Sequence, residues 1–158
     1  MEPSVAIASK EPACAVTPQS GLLPSDHLVD LTISTTPTQD LATFVFAPQG
    51  APSPAGAPRG TLDVAKPPFS FAGSGQTFEL LGEQAVQVRF SGMVIADESG
   101  QANYRGPQDV KPALPALREI VQYDASEGIV AFDLGYDGPG CVTLSRDGNG
   151  VTVAVAHR

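Results

Sequence analysis

Glycine and proline interrupt this chain too often for a helical bundle: 16 glycines and 15 prolines punctuate 158 residues. Each interior glycine weakens a helix by about 1 kcal/mol and each interior proline by about 3 kcal/mol. The prolines crowd the first 68 residues, and none falls between Phe69 and Gly106. Full disorder is excluded as well, because a hydrophobic fraction of 42% is near the globular norm. What remains is a short-stranded, turn-rich chain of one-domain length.

The chain divides in two. Residues 1–25 are polar, Pro-rich and without period, and read as a flexible N-terminal tail. Residues 26–158 read as one domain. From His27 onward Val29, Leu31 and Ile33 alternate with Asp30 and Thr32. Thr43–Ala47 has the aromatic and β-branched content of a half-buried strand. Pro48 to Gly60 reads as a loop, because proline supplies no ladder donor. Thr61–Ala65 is a further short strand. In Ala85–Phe90 the side chains of Val86, Val88 and Phe90 share one face and Gln87 and Arg89 the other. A slip of one residue there would bury Arg89, so the register is strongly specified.

Further on, Pro112 and Pro115 bracket Leu114, which leaves room for one short helical turn at Ala116–Ile120. Arg118–Tyr123 and Gly128–Leu134 read as strands joined by an acidic turn, and Cys141–Leu144 as another. Asp147-Gly148-Asn149-Gly150 is the strongest hairpin signal, followed by alternating Val151, Val153 and Val155. About eight short strands between turns predict an all-β fold, an antiparallel β-sandwich or partly closed barrel, with the sandwich the leading form.

Charge narrows the partners. Lysine and arginine number 9 against 17 aspartates and glutamates, a net charge of -8. Such a chain has no counterion-release drive toward nucleic acid, and an anionic membrane surface repels it. No apolar run approaches the roughly 18 residues of a membrane helix, so a transmembrane protein is not expected. The opening residues lack the basic and apolar regions of a signal peptide, which predicts either a cytosolic protein or a mature exported one. The oligomeric state is not legible. The two cysteines, Cys14 in the Pro-rich head and Cys141 in a strand, are either unrelated thiols or one disulfide pinning head to domain. A lipid anchor on Cys14 is disfavoured by the Glu11-Pro12-Ala13 before it.

Catalytic equipment is sparse. A nucleophile needs a base within hydrogen-bond reach, and only His27 and His157 exist, one at each edge of the domain. There is no phosphate-binding loop, no nucleotide fingerprint and no zinc-ligand spacing, so neither cofactor nor metal is predicted. Paired carboxylates, Asp97 with Glu98 or the group Glu119, Asp124 and Glu127, could support glycosidase chemistry. Acidic residues at turns more commonly serve solvation and local hydrogen bonding. The Asp147–Gly150 turn lacks the further ligands of a calcium loop. The candidate ligand-binding residues are Tyr104 with Arg105, and Tyr136 with Asp137. An exposed ring stacks on a sugar face, whereas the alternative for each tyrosine is packing at a sandwich end with a wet hydroxyl. Arg118-Glu119 reads as a structural ion pair or an edge solubiliser.

Several of these stretches together resemble the AMIN-like domain of secreted proteins and lipoproteins of high-GC Gram-positive bacteria. They are Gly106-Pro107, then Leu114-Pro115-Ala116-Leu117-Arg118-Glu119-Ile120-Val121, then Glu127-Gly128 through Gly135-Tyr136-Asp137-Gly138. Phe44-Val45-Phe46 is similar to the family's early strand, and Asp97, Gly100, Tyr104, Gly106 and Pro107 to its middle segment. The likeness spans roughly His27 to Ala156. The chain departs from the pattern at Ala42-Thr43, Ala96, Ser126 and Pro139-Gly140-Cys141. The resemblance implies a β-sandwich exported to the cell envelope or the extracellular space. Together with the lack of a catalytic constellation, it points to a non-enzymatic binding or localisation role, with peptidoglycan or another cell-wall polymer, or an envelope protein, as partner. Two other functions stay open: a small-ligand carrier with a pocket between the sheets, and a carboxylate-dependent hydrolase.

Overall fold

A computed structural model of the protein describes residues 26–46, 59–96, 98–138, 141–147 and 150–157. The tail 1–25, with Cys14, and the loop residues 47–58 lie outside the described residues. Among the described residues there are eleven strands and no helix. Eight are long: β1 (Leu28–Thr35), β2 (Gln39–Phe46), β3 (Arg59–Ala65), β6 (Gln84–Ser91), β8 (Leu117–Ser126), β9 (Ile129–Tyr136), β10 (Val142–Asp147) and β11 (Gly150–Ala156). Three are brief ladders of two residues: β4 (Phe69–Ser70), β5 (Thr77–Phe78) and β7 (Asp109–Val110). The long ones account for the eight strands that turn spacing predicts.

They form a four-stranded sheet in the order β1-β2-β11-β10, a five-stranded sheet in the order β3-β6-β9-β8-β7, and the small β4-β5 ladder. Every pairing is antiparallel. The sheets pack face to face as a β-sandwich and do not close into a barrel. The aromatic residues of alternating strands hold the two layers together. Phe44 of β2 meets Phe90 of β6 edge-on at 5.3 Å and Phe132 of β9 at 4.7 Å, and Phe46 meets Phe90 edge-on at 5.4 Å. Such tilted pairs add about 0.5–1.5 kcal/mol each beyond the area they bury. Val86, Val88 and Phe90 point inward as their alternation predicts, all fully buried.

Three local features differ from the pattern read along the chain. The region Ala116–Ile120 forms no helical turn. The backbone N–H groups of Ala116 and Leu117 donate to the Asp40 carboxylate, and β8 runs on from Leu117 against β9. Pairing along ten residues outweighs a single turn with little propensity of its own. Gly60 belongs to β3 rather than to the preceding loop, opposite Phe90. The simple alternation of Val29, Leu31 and Ile33 is broken by a register shift between Leu28 and Asp30, so that Leu28 and Leu31 are the buried residues of β1.

The hairpins form where turn chemistry places them. Ser126 pairs with Ile129, leaving Glu127 (φ 54°) and Gly128 (φ 79°) as a two-residue loop with both φ positive. Asp147 pairs with Gly150, and the two residues between them lie outside the described set.

Candidate functional site

The four candidate ligand-binding residues are not gathered into one site. Tyr104 lies over the sandwich rim, half-buried, edge-on to Phe132 at 5.6 Å. Its hydroxyl donates to the Pro107 carbonyl at 2.5 Å, and burial, reinforced by nearby Asp30, pushes its phenol above its ordinary value. The neighbouring Arg105 backbone N–H donates to Val29 O. Tyr136 is fully buried within the core, which removes it as a surface platform for sugar. Its place follows from register: Phe132, Leu134 and Tyr136 occupy the inner face of β9. Asp137 sits past the end of β9, accepting from the Glu83 N–H at 2.9 Å and pairing with Arg118 at 2.5 Å. Tyr104 therefore meets β9 at Phe132, roughly 13 Å of strand from Tyr136 at about 3.3 Å per residue.

Both histidines are held by aspartates. His27 Nδ1 lies 2.6 Å from Asp26, and His157 Nε2 lies 2.6 Å from Asp40 Oδ1. Asp40 is wholly buried and was unmarked in the sequence. Thr35 Oγ1 also donates to Oδ1, at 2.7 Å, while the Ala116 and Leu117 N–H groups donate to Oδ2 at 2.7 and 2.8 Å. Burial pushes its pKa up, but the hydrogen bonds from His157, Thr35, Leu117 and Ala116 outweigh that and leave it below the ordinary carboxylate value. The arrangement ties the β1-β2 hairpin, the start of β8 and the C-terminal segment together. It holds a carboxylate rather than activating a nucleophile, since Thr35 donates to Asp40 itself and not to the imidazole.

The carboxylates singled out as a hydrolytic group are dispersed. Glu119 is buried, accepting the Leu81 N–H at 2.9 Å and pairing with Lys111 at 3.1 Å, a bond that raises the Lys111 ammonium pKa. Asp124 accepts from Ser126 Oγ, and Glu127 sits in the hairpin loop. Arg118 and Glu119 thus make structural ion pairs, though with Asp137 and Lys111 rather than with each other. Cys141 packs against the core, no free cysteine is found among the described residues, and Cys14 lies outside them. No cluster of three metal-ligating side chains occurs among the described residues.

The distinctive surface is the outer face of the five-stranded sheet. At its centre Asp133 of β9 is only 3% exposed, with Oδ1 lacking a hydrogen-bond partner. Burial pushes its pKa up to about 6, against a weaker opposing hydrogen bond from Gln87 on β6. Tyr123 lies nearby on β8, its pKa raised to about 12 first by burial and then by Asp133. The Arg89 guanidinium pulls it back without giving the hydroxyl a hydrogen bond of good geometry.

Further along the same face, Ala65 of β3 stands opposite Ala85 of β6, and Ala85 opposite Gly135 of β9. This row of small residues leaves the sheet surface low. The segment after the β4-β5 hairpin descends onto it so closely that a Cβ on Gly135 would meet the Leu81 carbonyl oxygen at 1.8 Å. Phe69, Phe71 and Phe78 stack within the hairpin at 4.6–6.0 Å, and Phe69 and Phe78 form the wall it turns toward the sheet. Between wall and sheet lies an open groove of about 920 Å³, lined among others by Val64, Ala65, Pro67, Phe78 and Leu80. Periodicity did not reveal this groove. The signal in the sequence was the Phe-rich stretch between Pro67-Pro68 and the strand Ala85–Phe90.

Compared with protein-family models, with curated proteins and with solved structures, the chain matches none.

Proposed function

We propose that this chain is a non-enzymatic binding domain of AMIN-like type, exported to the cell envelope, where it holds a cell-wall polymer or an envelope protein. The observation that carries the reading is the open groove of about 920 Å³ beside the edge strand β3. Concave surfaces with apolar walls are the usual sites of ligand or partner engagement. The titratable groups support the same reading. Asp40, Glu119 and Asp137 are each taken up in hydrogen bonds and ion pairs that join elements of the fold.

A carrier with a ligand between the sheets needs space where Phe44, Phe46, Phe90 and Phe132 interdigitate. A hydrolase needs two carboxyl groups facing one cleft at roughly 5–9.5 Å. Of the carboxylates offered for that role, Glu119 is in a β8 ion pair, Asp124 is at a strand end and Glu127 is in a hairpin loop, while Glu98 is exposed and Asp97 lies outside the described residues. The binding reading is therefore preferred to both.

The test is co-sedimentation of the purified chain with peptidoglycan sacculi, beside its use as bait for solubilised envelope proteins. Retention of the chain by sacculi, or of a defined envelope protein by the chain, is expected. Retention of neither overturns the proposal.

A further inference from the structure

The inner face of β3 changes character within two residues. Leu62 is fully buried, whereas Val64, next along the same face, is 44% exposed. Both stand opposite buried valines of β6, Val88 and Val86. The cover supplied by the opposing sheet therefore ends between them. β3 is the terminal strand of its sheet, and among the described residues no strand pairs along its other side. An edge of this kind directs unpaired N–H and C=O groups outward, and proteins ordinarily blunt it with charge on both faces. Here the inward position carries an exposed valine instead, and Ala65 opens onto the groove.

We propose that the C-terminal half of β3 is a docking edge for an extended polypeptide in which apolar and basic residues alternate, added to the sheet as a further strand. The proposal rests on the binding role above and specifies the partner. Backbone pairing supplies affinity in this mode, and alternate side chains supply selectivity. The register states which. A residue beside Val64 on the inner face replaces the missing cover and must be apolar. A residue beside the exposed Asp63 on the outer face is best basic, since facing opposite charges stabilise cross-strand pairs. One beside Ala65 enters the groove, whose exposed rim carries Glu79 and Glu83 against Lys66. The net charge of -8 steers a cationic segment toward the domain and repels a second copy from the same edge.

The experiment uses the full chain and a labelled heptapeptide, Lys-Val-Lys-Leu-Lys-Val-Lys, with fluorescence anisotropy as readout. Controls are the same peptide with Glu for Lys, a version with proline at alternate positions, and chito-oligosaccharides as a glycan probe. The basic peptide should bind, and hydrogen exchange at β3 amides should slow in the complex. Asp63→Lys and Val64→Lys should each weaken binding by about tenfold, a change of about 1.4 kcal/mol, with thermal melting confirming that both variants are folded. Absence of binding, equal binding of the proline-containing peptide, or unchanged affinity in both folded variants overturns the proposal. So does a preference for the glycan, or self-association that Val64→Lys abolishes. The two proposals fail differently. If the wild-type chain retains envelope material and both variants retain it equally, the edge is wrong and the binding role stands. If the wild-type chain retains none, the binding role itself falls.

Discussion

Asp40 and Asp133 are both buried carboxylates, and their surroundings drive them in opposite directions. Asp40 receives four donors from three parts of the chain, so its charge is stabilised where it stands. Replacing it with alanine leaves two backbone N–H groups and an imidazole without their acceptor. Asp40→Ala should lower stability by about 3–5 kcal/mol, as is usual when one member of a buried charged network is removed. Urea unfolding measures this, and Asp40→Asn should lose less because one carbonyl oxygen remains to accept. Asp133 has the reverse problem, a carboxyl under cover with one oxygen unpaired. Asp133→Asn removes the burden of ionising it and should raise stability at pH 7 by about 2–3 kcal/mol, from a shift toward about 6 at about 1.4 kcal/mol per unit. Neither role was visible in the sequence. In the sequence Asp40 is merely a polar residue before a strand, and Asp133 a polar residue within one. What buries each is a distant partner: β8 and His157 for the first, and the neighbouring strands β6 and β8 for the second.

At the scale of elements, the hairpins and ladders follow local chemistry closely. The β8-β9 loop asks for positive φ at both central residues, and Glu127 meets that demand at φ 54° as a residue with a Cβ. Glu127→Asn, better suited to that conformation, should stabilise by about 0.5–1 kcal/mol, seen as a rise in melting temperature. Gly135 shows the opposite dependence. Its strand conformation is ordinary, but the Leu81 carbonyl occupies the space where a side chain would stand. Gly135→Ala should destabilise by about 3 kcal/mol and speed hydrogen exchange at the Leu81 amide, whose acceptor is Glu119. Two element-scale expectations failed for one reason. The helical turn at Ala116–Ile120 and the loop assignment of Gly60 came from proline and glycine signals nearby. Long antiparallel pairing, with β9 and β6 respectively, overrode those weak local preferences.

For the molecule as a whole, the two buried aspartates predict the shape of the pH–stability curve. Asp40 has a folded pKa below 3.8, so its contribution is present above that value and is lost as pH falls through its folded pKa. Asp133 has a folded pKa near 6, above its unfolded value of 3.8. Folding then binds a proton in that interval, and stability falls as pH rises from 3.8 to about 6 and levels off beyond. Melting temperature followed against pH should show that decline, and Asp133→Asn should flatten it while leaving the acid limb. Asp40→Asn should weaken the acid limb alone.

The sequence by itself determined the fold class and the placement of most strands. Those depend on period-two alternation and on turn residues, which act over a few neighbours. It also excluded a helical bundle, through the spacing of glycine and proline. The tertiary structure alone decided which polar residues went inside, that Tyr136 belongs to the core rather than the surface, and that a groove lies beside β3. Each depends on what crosses over from another strand. The row Ala65, Ala85 and Gly135 becomes a depression only when three strands align those residues side by side. Val64 becomes an exposed apolar edge only because the opposing sheet stops short of it. The 31 glycines and prolines set where the chain turns; the pairing of the sheets set what those turns leave open.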